Sequence, residues 1–164
     1  MNKDKGTALT LMQRVEVQTE VLVPLLRHLR AELGEEAANA LVYPVLRDSM
    51  REWIASIAAT DGNPTENWRE TSDKVATMFT GDLDLKVVEQ DDRTLSVDVI
   101  RCRYADFFRN LGEPDLGAIL TCELDNHIAD RSAPEVRMMR ETTIMAGGRC
   151  CPFRYQIAPD APCD

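Results

Sequence analysis

Side chains able to do chemistry on a small molecule crowd into the last third of this chain. Thiols stand at Cys102, Cys122 and Cys151, a carboxylate at Asp125, guanidiniums at Arg140 and Arg154, and hydroxyls at Tyr104 and Thr143. A thiol attacks as its thiolate, which a nearby cation or base favours. A carboxylate moves protons at neutral pH when burial raises its pKa. An arginine grips a carboxylate through paired hydrogen bonds. Such a group can attack an electrophilic carbon, hold an anion or bind a metal, and nothing upstream is comparable.

Spacing narrows these roles. Cys122 and Asp125 are three apart on an expected helix and so share a face. Arg140 and Thr143 fall on an expected strand, where an odd spacing sends them to opposite sides unless a bulge intervenes. Cys150 and Cys151, adjacent near the start of the next strand, likewise face opposite ways. Arg140 can depress a thiol pKa or clamp a substrate carboxylate. The plainer alternative is that the cysteines are small buried hydrophobes, Asp125 a cap or ion pair, and Arg140 a surface residue paired with Glu135. There is no CxxC pair, HExxH, phosphate-cradling glycine loop or GxSxG elbow. His28 reads as solvated and His127 as pointing away from Asp125, while Trp53 and Trp68 read as core or interface residues.

The elements that must position this group follow from periodicity. Apolar residues at Leu11, Val15, Leu22, Leu26, Leu29 and Leu33 predict a helix over 8–33 stopped by Gly34, with Pro24 kinking or breaking it near Val23. A second helix is expected over 35–59 with Pro44 interrupting it. A third runs to Met78 behind an Asn63 or Thr65 cap, with Pro64 in its first turn. Strands over 85–89 and 95–100 flank a hairpin turn at Gln90-Asp91-Asp92-Arg93. A helix over 103–111 stops at Gly112. Another over 114–129 carries the stripe Leu116, Ile119, Leu120, Leu124 and Ile128. A second hairpin is expected from strands over 137–145 and 151–157, turned by Ala146-Gly147-Gly148-Arg149. Strands arrive in adjacent pairs, which favours an α+β fold: N-terminal helices, then an antiparallel sheet of two hairpins with two intervening helices.

At 164 residues the chain suits a single domain. Its parts read as helical over 1–80, α+β over 81–157, and a flexible proline-rich tail over 158–164. A formal charge of −9 argues against nucleic acid, whose phosphates need lysine and arginine. No apolar stretch approaches a membrane span, and no apolar segment follows the polar start as a secretory signal would. With five cysteines, an odd count, this points to reduced thiols and a cytoplasmic location. The long apolar stripes of the N-terminal helices suit a homo-oligomer interface or simple core packing equally.

The stretch from Cys102 to Tyr155 resembles the L-2-amino-thiazoline-4-carboxylic acid hydrolase family. That family shows C-x-Y-A, an aromatic pair, L-G-x-P-x-L-G, C-x-x-D, then R-x-x-T-I-M-x-G-x-x-x-C-x-F-R-F/Y. The matching residues here are Cys102, Tyr104, Ala105, Leu111, Gly112, Pro114, Leu116, Gly117, Cys122, Asp125, Arg140, Thr143, Ile144, Met145, Gly147, Cys151, Phe153, Arg154 and Tyr155. The chain departs from the family's common Gln, His and Asp at Thr142, Cys150 and Pro152. More distantly the stretch resembles the four-vinyl-reductase-like small-molecule-binding fold, some of whose relatives bind zinc. Their Glu-x-x-Cys segment falls on Arg140 and Thr143, which leaves too few donors for that metal.

The family resemblance implies hydrolytic opening of a small anionic cyclic amidine at the carbon between nitrogen and sulfur, with no cofactor and no metal. It implies Cys122, Cys151 or an Asp125-activated water as the attacking group. Arg140, Thr143, Tyr104, Cys102 and Arg154 would be substrate contacts. Cys122 is favoured over Cys151 because it shares a face with Asp125. The alternative is a binding or sensory module of the four-vinyl-reductase-like kind without turnover.

Overall fold

A computed structural model describes residues 9–158; the expected helix start at Ala8 and the tail beyond Ala158 lie outside the described residues. Helix α1 (Leu11–Leu33) opens on a reciprocal cap. The Gln13 amide donates to Thr10 Oγ1 at 3.2 Å and the Thr10 amide to Gln13 Oε1 at 3.0 Å, satisfying two donors that the first turn leaves free. Gly34, at φ 85°, turns the chain into α2 (Glu35–Ile57). Neither proline breaks its helix: α1 runs unbroken past Pro24, and Pro44 does not interrupt α2 as the sequence suggested. Each ring removes one amide donor, but Glu20, Pro24, Ala40 and Pro44 are all exposed, so water can satisfy the freed carbonyls. Meanwhile Val15, Thr19, Val23 and Leu26 hold the buried side of α1 in place. Asn63 and Glu66 cap α3 (Pro64–Met78) in the same reciprocal way as Thr10 and Gln13.

The sheet is antiparallel with strand order β1-β2-β4-β3, comprising β1 (Leu83–Gln90), β2 (Thr94–Cys102), β3 (Val136–Met139) and β4 (Cys151–Ile157). Asp91 Oδ1 accepts the Arg93 and Thr94 amides at 2.7 Å each and so fixes the β1–β2 turn. One face of the sheet is apolar. Leu95, Val97 and Val99 of β2 lie opposite Tyr155, Phe153 and Cys151 of β4, and period-2 alternation sends all six side chains to the same side. The fold is therefore α+β, with N-terminal helices followed by a four-stranded antiparallel sheet and its helices.

Between the strand pairs runs α4 (Arg103–Leu111), ended by Gly112 at φ 75°. The Gly112 amide bonds the Arg109 carbonyl and the Glu113 amide the Phe108 carbonyl, which closes the last turn as a glycine-dependent motif. The expected helix over 114–129 is not uniform. It consists of α5 (Pro114–Gly117), a π-helical turn (Ala118–Cys122) and α6 (Leu124–Arg131). The wide turn is marked by the Glu123 amide reaching back five residues to the Ala118 carbonyl at 2.9 Å. Its apolar stripe is buried as expected: Leu116, Ile119, Leu120, Leu124 and Ile128 are all in the core.

The expected strand over 137–145 stops at Met139. The chain leaves the sheet because Met145 is buried among Phe108, Leu116 and Leu120 on the helical side. Residues 143–148 close as one helical turn. The Gly148 amide bonds the Thr143 carbonyl and the Gly147 amide the Ile144 carbonyl, with Gly147 at φ 93°. Arg140 and Thr143 thus belong to a connecting segment and not to a strand. Ala158, read from sequence as tail, is tied to the sheet edge by its amide bonding the Glu135 carbonyl at 2.7 Å.

Candidate active site

A cavity of about 720 Å³ lies between the apolar face of the sheet and α3, the π turn and α6. It brings together Cys102, Tyr104, Cys122, Asp125, Arg140 and Cys151. It does not include Thr143 or Arg154. Thr143 Oγ1 accepts the Ala146 amide at 3.0 Å and caps the turn just described. Arg154 alternates with Phe153 and Tyr155 and so faces the other side of the sheet, where it pairs with Asp98 at 2.8 Å.

Each wall residue is held by a local device. Cys102 ends β2 and caps α4, its sulfur accepting the Ala105 amide at 3.4 Å. Cys151 begins β4, and its sulfur accepts the Ile144 amide at 3.1 Å. Cys122 closes the π turn, and among the described residues its side-chain hydrogen-bond neighbour is the Thr121 hydroxyl, 3.8 Å away. The Tyr104 hydroxyl donates to Asp82 at 3.2 Å, so it is committed away from the cavity's other polar groups.

Arg140 organises the polar end. Its Nη1 donates to the Cys122 carbonyl at 2.9 Å and its Nη2 to Asn126 Oδ1 at 3.0 Å. The guanidinium lies over the Phe153 ring, 4.9 Å from its centroid, a favourable cation–π placement. The side chain is 10% exposed, and Asp125 Oδ2 stands 3.9 Å away without a hydrogen bond. Among the described residues, this nearly buried cation thus has two of its five donors committed and no tightly bonded carboxylate.

The titrating groups divide clearly. Burial pushes Asp125 up to about 6, against the opposing pull of Arg140 and the Tyr155 phenol. Its side chain is 35% exposed, but the space it borders is largely apolar, and that favours the neutral acid. Burial raises the Cys122 thiol to about 11 even though Thr121 and Arg140 pull it down. It raises Cys102 and Cys151 as well, despite their backbone donors. Arg140 does draw the Cys122 thiol down, one of the two roles read for it from the sequence, but desolvation outweighs the cation.

The profile of the L-2-amino-thiazoline-4-carboxylic acid hydrolase family matches residues 14–155. The chain belongs to this family. The match covers most of the helical N-terminal part as well as the motif-bearing third, so the resemblance extends over both halves of the fold. Among curated proteins none matches the chain significantly.

Among the wall residues of this family member that the sequence reading did not place at the site are Trp68, Phe153 and Tyr155. Trp68 packs on Tyr155 with ring centroids 5.0 Å apart and serves core and cavity at once. The alternation Cys151, Phe153, Tyr155 carried the signal for the other two. Among the described residues no three His, Cys, Asp or Glu side chains gather as a metal site, and no helix is long and apolar enough to cross a membrane.

Proposed function

We propose that the protein opens a C–N bond in the ring of a small carboxylated cyclic amidine such as 2-amino-thiazoline-4-carboxylate. The observation that carries this reading is the meeting of Cys122, Asp125 and Arg140 at one end of a single cavity. Arg140, with donors to spare beside an apolar wall, grips the substrate carboxylate. Asp125, half-ionised near pH 6, is ionised at neutral pH while remaining a usable acid. Cys122 is the favoured nucleophile because Cys102 and Cys151 already accept backbone amides.

In the first half-reaction the Cys122 sulfur bonds to the carbon between nitrogen and sulfur as Asp125 takes the thiol proton. The ring nitrogen already carries one proton in the amidinium form of the substrate. It then parts from that carbon, takes a second proton back from Asp125 and departs as an amine while the exocyclic nitrogen closes the C=N bond. In the second half, Asp125 removes a proton from water, the oxygen adds to the same carbon, and Cys122 leaves as a thiol. One water is consumed, and the product carries a free amine and no free thiol. Moving a proton from a thiol at about 11 to a carboxylate at about 6 costs about 7 kcal/mol. That lies within an enzymatic barrier.

Turnover of 2-amino-thiazoline-4-carboxylate, followed by chromatography and a thiol reagent, tests the scheme. Cys122→Ala should lower kcat by at least ~10²-fold and Asp125→Asn by ~10²–10⁴-fold, while Arg140→Met should mainly raise KM. Full activity in Cys122→Ala with loss in Asp125→Asn would leave direct attack by water. Release of a thiol would move the cleavage to the C–S bond. The apolar majority of the wall also suits binding without turnover, and a protein that binds the ring but never opens it would have that role.

A further inference from the structure

The catalytic groups occupy only one end of the cavity. Arg140 contacts the Cys122 carbonyl and Phe153 and lies within 3.9 Å of Asp125, so the polar cluster sits beside β4 and the π turn. The rest of the space runs over β2 and β1. There the floor is Leu95, Val97, Val99 and Leu85, and the opposite wall includes Val75 of α3 and Phe79 just past its end. Leu85 stands in register with Val99, and Val99 with Cys151. Three adjacent strands at their usual spacing put Leu85 roughly 10 Å across the sheet from Cys151. A five-membered ring with its carboxylate on Arg140 cannot cover that distance.

Size and exposure agree with register. Pockets of ~300–1,000 Å³ take drug-sized molecules, and about 720 Å³ is far more than one bare ring fills. The far end is also unfinished. Leu85 is 55% exposed, and Val87, on the same face, is 57% exposed. Apolar surface continuous with a reaction cavity is surface that a bound molecule removes from water.

We infer that the true substrate carries an apolar substituent, alkyl or aryl, which lies along the Val97, Val99 and Leu85 floor while its carboxylated ring sits at Arg140. This rests on the ring-opening reading for what happens at the polar end. The apolar arm recognises no charge and sets chain-length preference, so it acts on specificity and not on the bond-breaking step.

Two homologous series of 2-amino-thiazoline-4-carboxylates test it on the full chain. One is alkylated at the exocyclic nitrogen and one at the ring carbon beside sulfur, each with methyl, butyl and octyl groups. Calorimetry reads binding and chromatography reads ring opening. In at least one series affinity should rise about fourfold per buried methylene, giving at least ~thirtyfold from methyl to butyl. Leu85→Asp, at an exposed position that leaves the core intact, should shrink the octyl-to-methyl ratio about tenfold.

Flat affinity in both series overturns the inference, even if every ring is opened and the proposed reaction stands. A gradient without ring opening keeps the apolar arm and removes the reaction. If Leu85→Asp instead splits a dimer and leaves the gradient unchanged, a second copy of the chain covers the floor and the inference falls.

Discussion

At the residue scale the chemistry turns on desolvation. Arg140 pulls the Cys122 thiol toward acidity, but the same apolar walls that make the site bury the thiol, and burial dominates. Asp125 obeys the same rule with a useful outcome. Its folded pKa of about 6 exceeds the ordinary 3.8, so the folded state binds its proton more tightly than the unfolded chain. The resulting stability is fully present below about pH 4 and is lost as pH rises through about 6. After discounting for its partial exposure, the loss is about 1 kcal/mol. Asp125→Asn should lack this slope relative to the parent in urea titrations at pH 4, 5, 6 and 7. It should be equally or more stable at pH 7 and nearly inactive. In the parent, kcat/KM should climb through about pH 6 as the base form appears. An unchanged pH slope in the variant would remove Asp125 as the group responsible.

At the element scale the site depends on how tightly α5 meets α4. A Cβ at Gly117 would stand 2.5 Å from Phe108 Cγ and 2.7 Å from Met145 Cε. Phe108 is fully buried and Met145 nearly so, and neither can retreat freely. Gly117→Ala should therefore destabilise the protein by about 1–3 kcal/mol, read as a lower urea midpoint. Because the π turn begins at the next residue, the strain should also disturb Thr121 and Cys122 and lower turnover. A variant with parental midpoint and activity would show that this packing has slack. Much at this scale was legible in sequence. The helix over 103–111 and its stop at Gly112 were read correctly, although β2 runs two residues past the expected Ile100, and the stripe from Leu116 to Ile128 is the period of a buried helix face. The π turn was not legible, because that period looks the same whether or not one turn is widened. The early end of β3 was hidden as well. Met145 reads as a strand residue until its burial site on another layer is known.

At the scale of the whole molecule, the N-terminal helices are tied to the α+β half through a buried carboxylate. Glu113, 4% exposed, takes Arg27 at 3.0 Å and Arg30 at 2.7 Å. Arg30 also reaches Asn39 and Tyr43 of α2. A buried carboxylate that loses a partner keeps its desolvation cost without the compensating charge. Arg30→Met should cost about 2–3 kcal/mol, less than a complete loss because Arg27 remains. Denaturant unfolding checks the value, and a loss below 0.5 kcal/mol would mean that Arg27 suffices. A second tie, Arg47 to Glu123 at 2.9 Å, joins α2 to the residue that follows the π turn. Neither pair was visible beforehand, since partners 83 and 76 residues apart share no local pattern.

By itself the sequence determined the kind and order of the elements, because caps, glycine stops and hydrophobic periods act within a few residues. It also brought Cys122 and Asp125 near each other along one helical run. Only the tertiary structure decided that Arg140 and Cys151 join them while Thr143 and Arg154 stay outside. It likewise set the direction in which Cys102, Cys122, Cys151 and Asp125 shift. Those outcomes depend on which distant side chains exclude water around a group, and spacing along a chain carries no record of that.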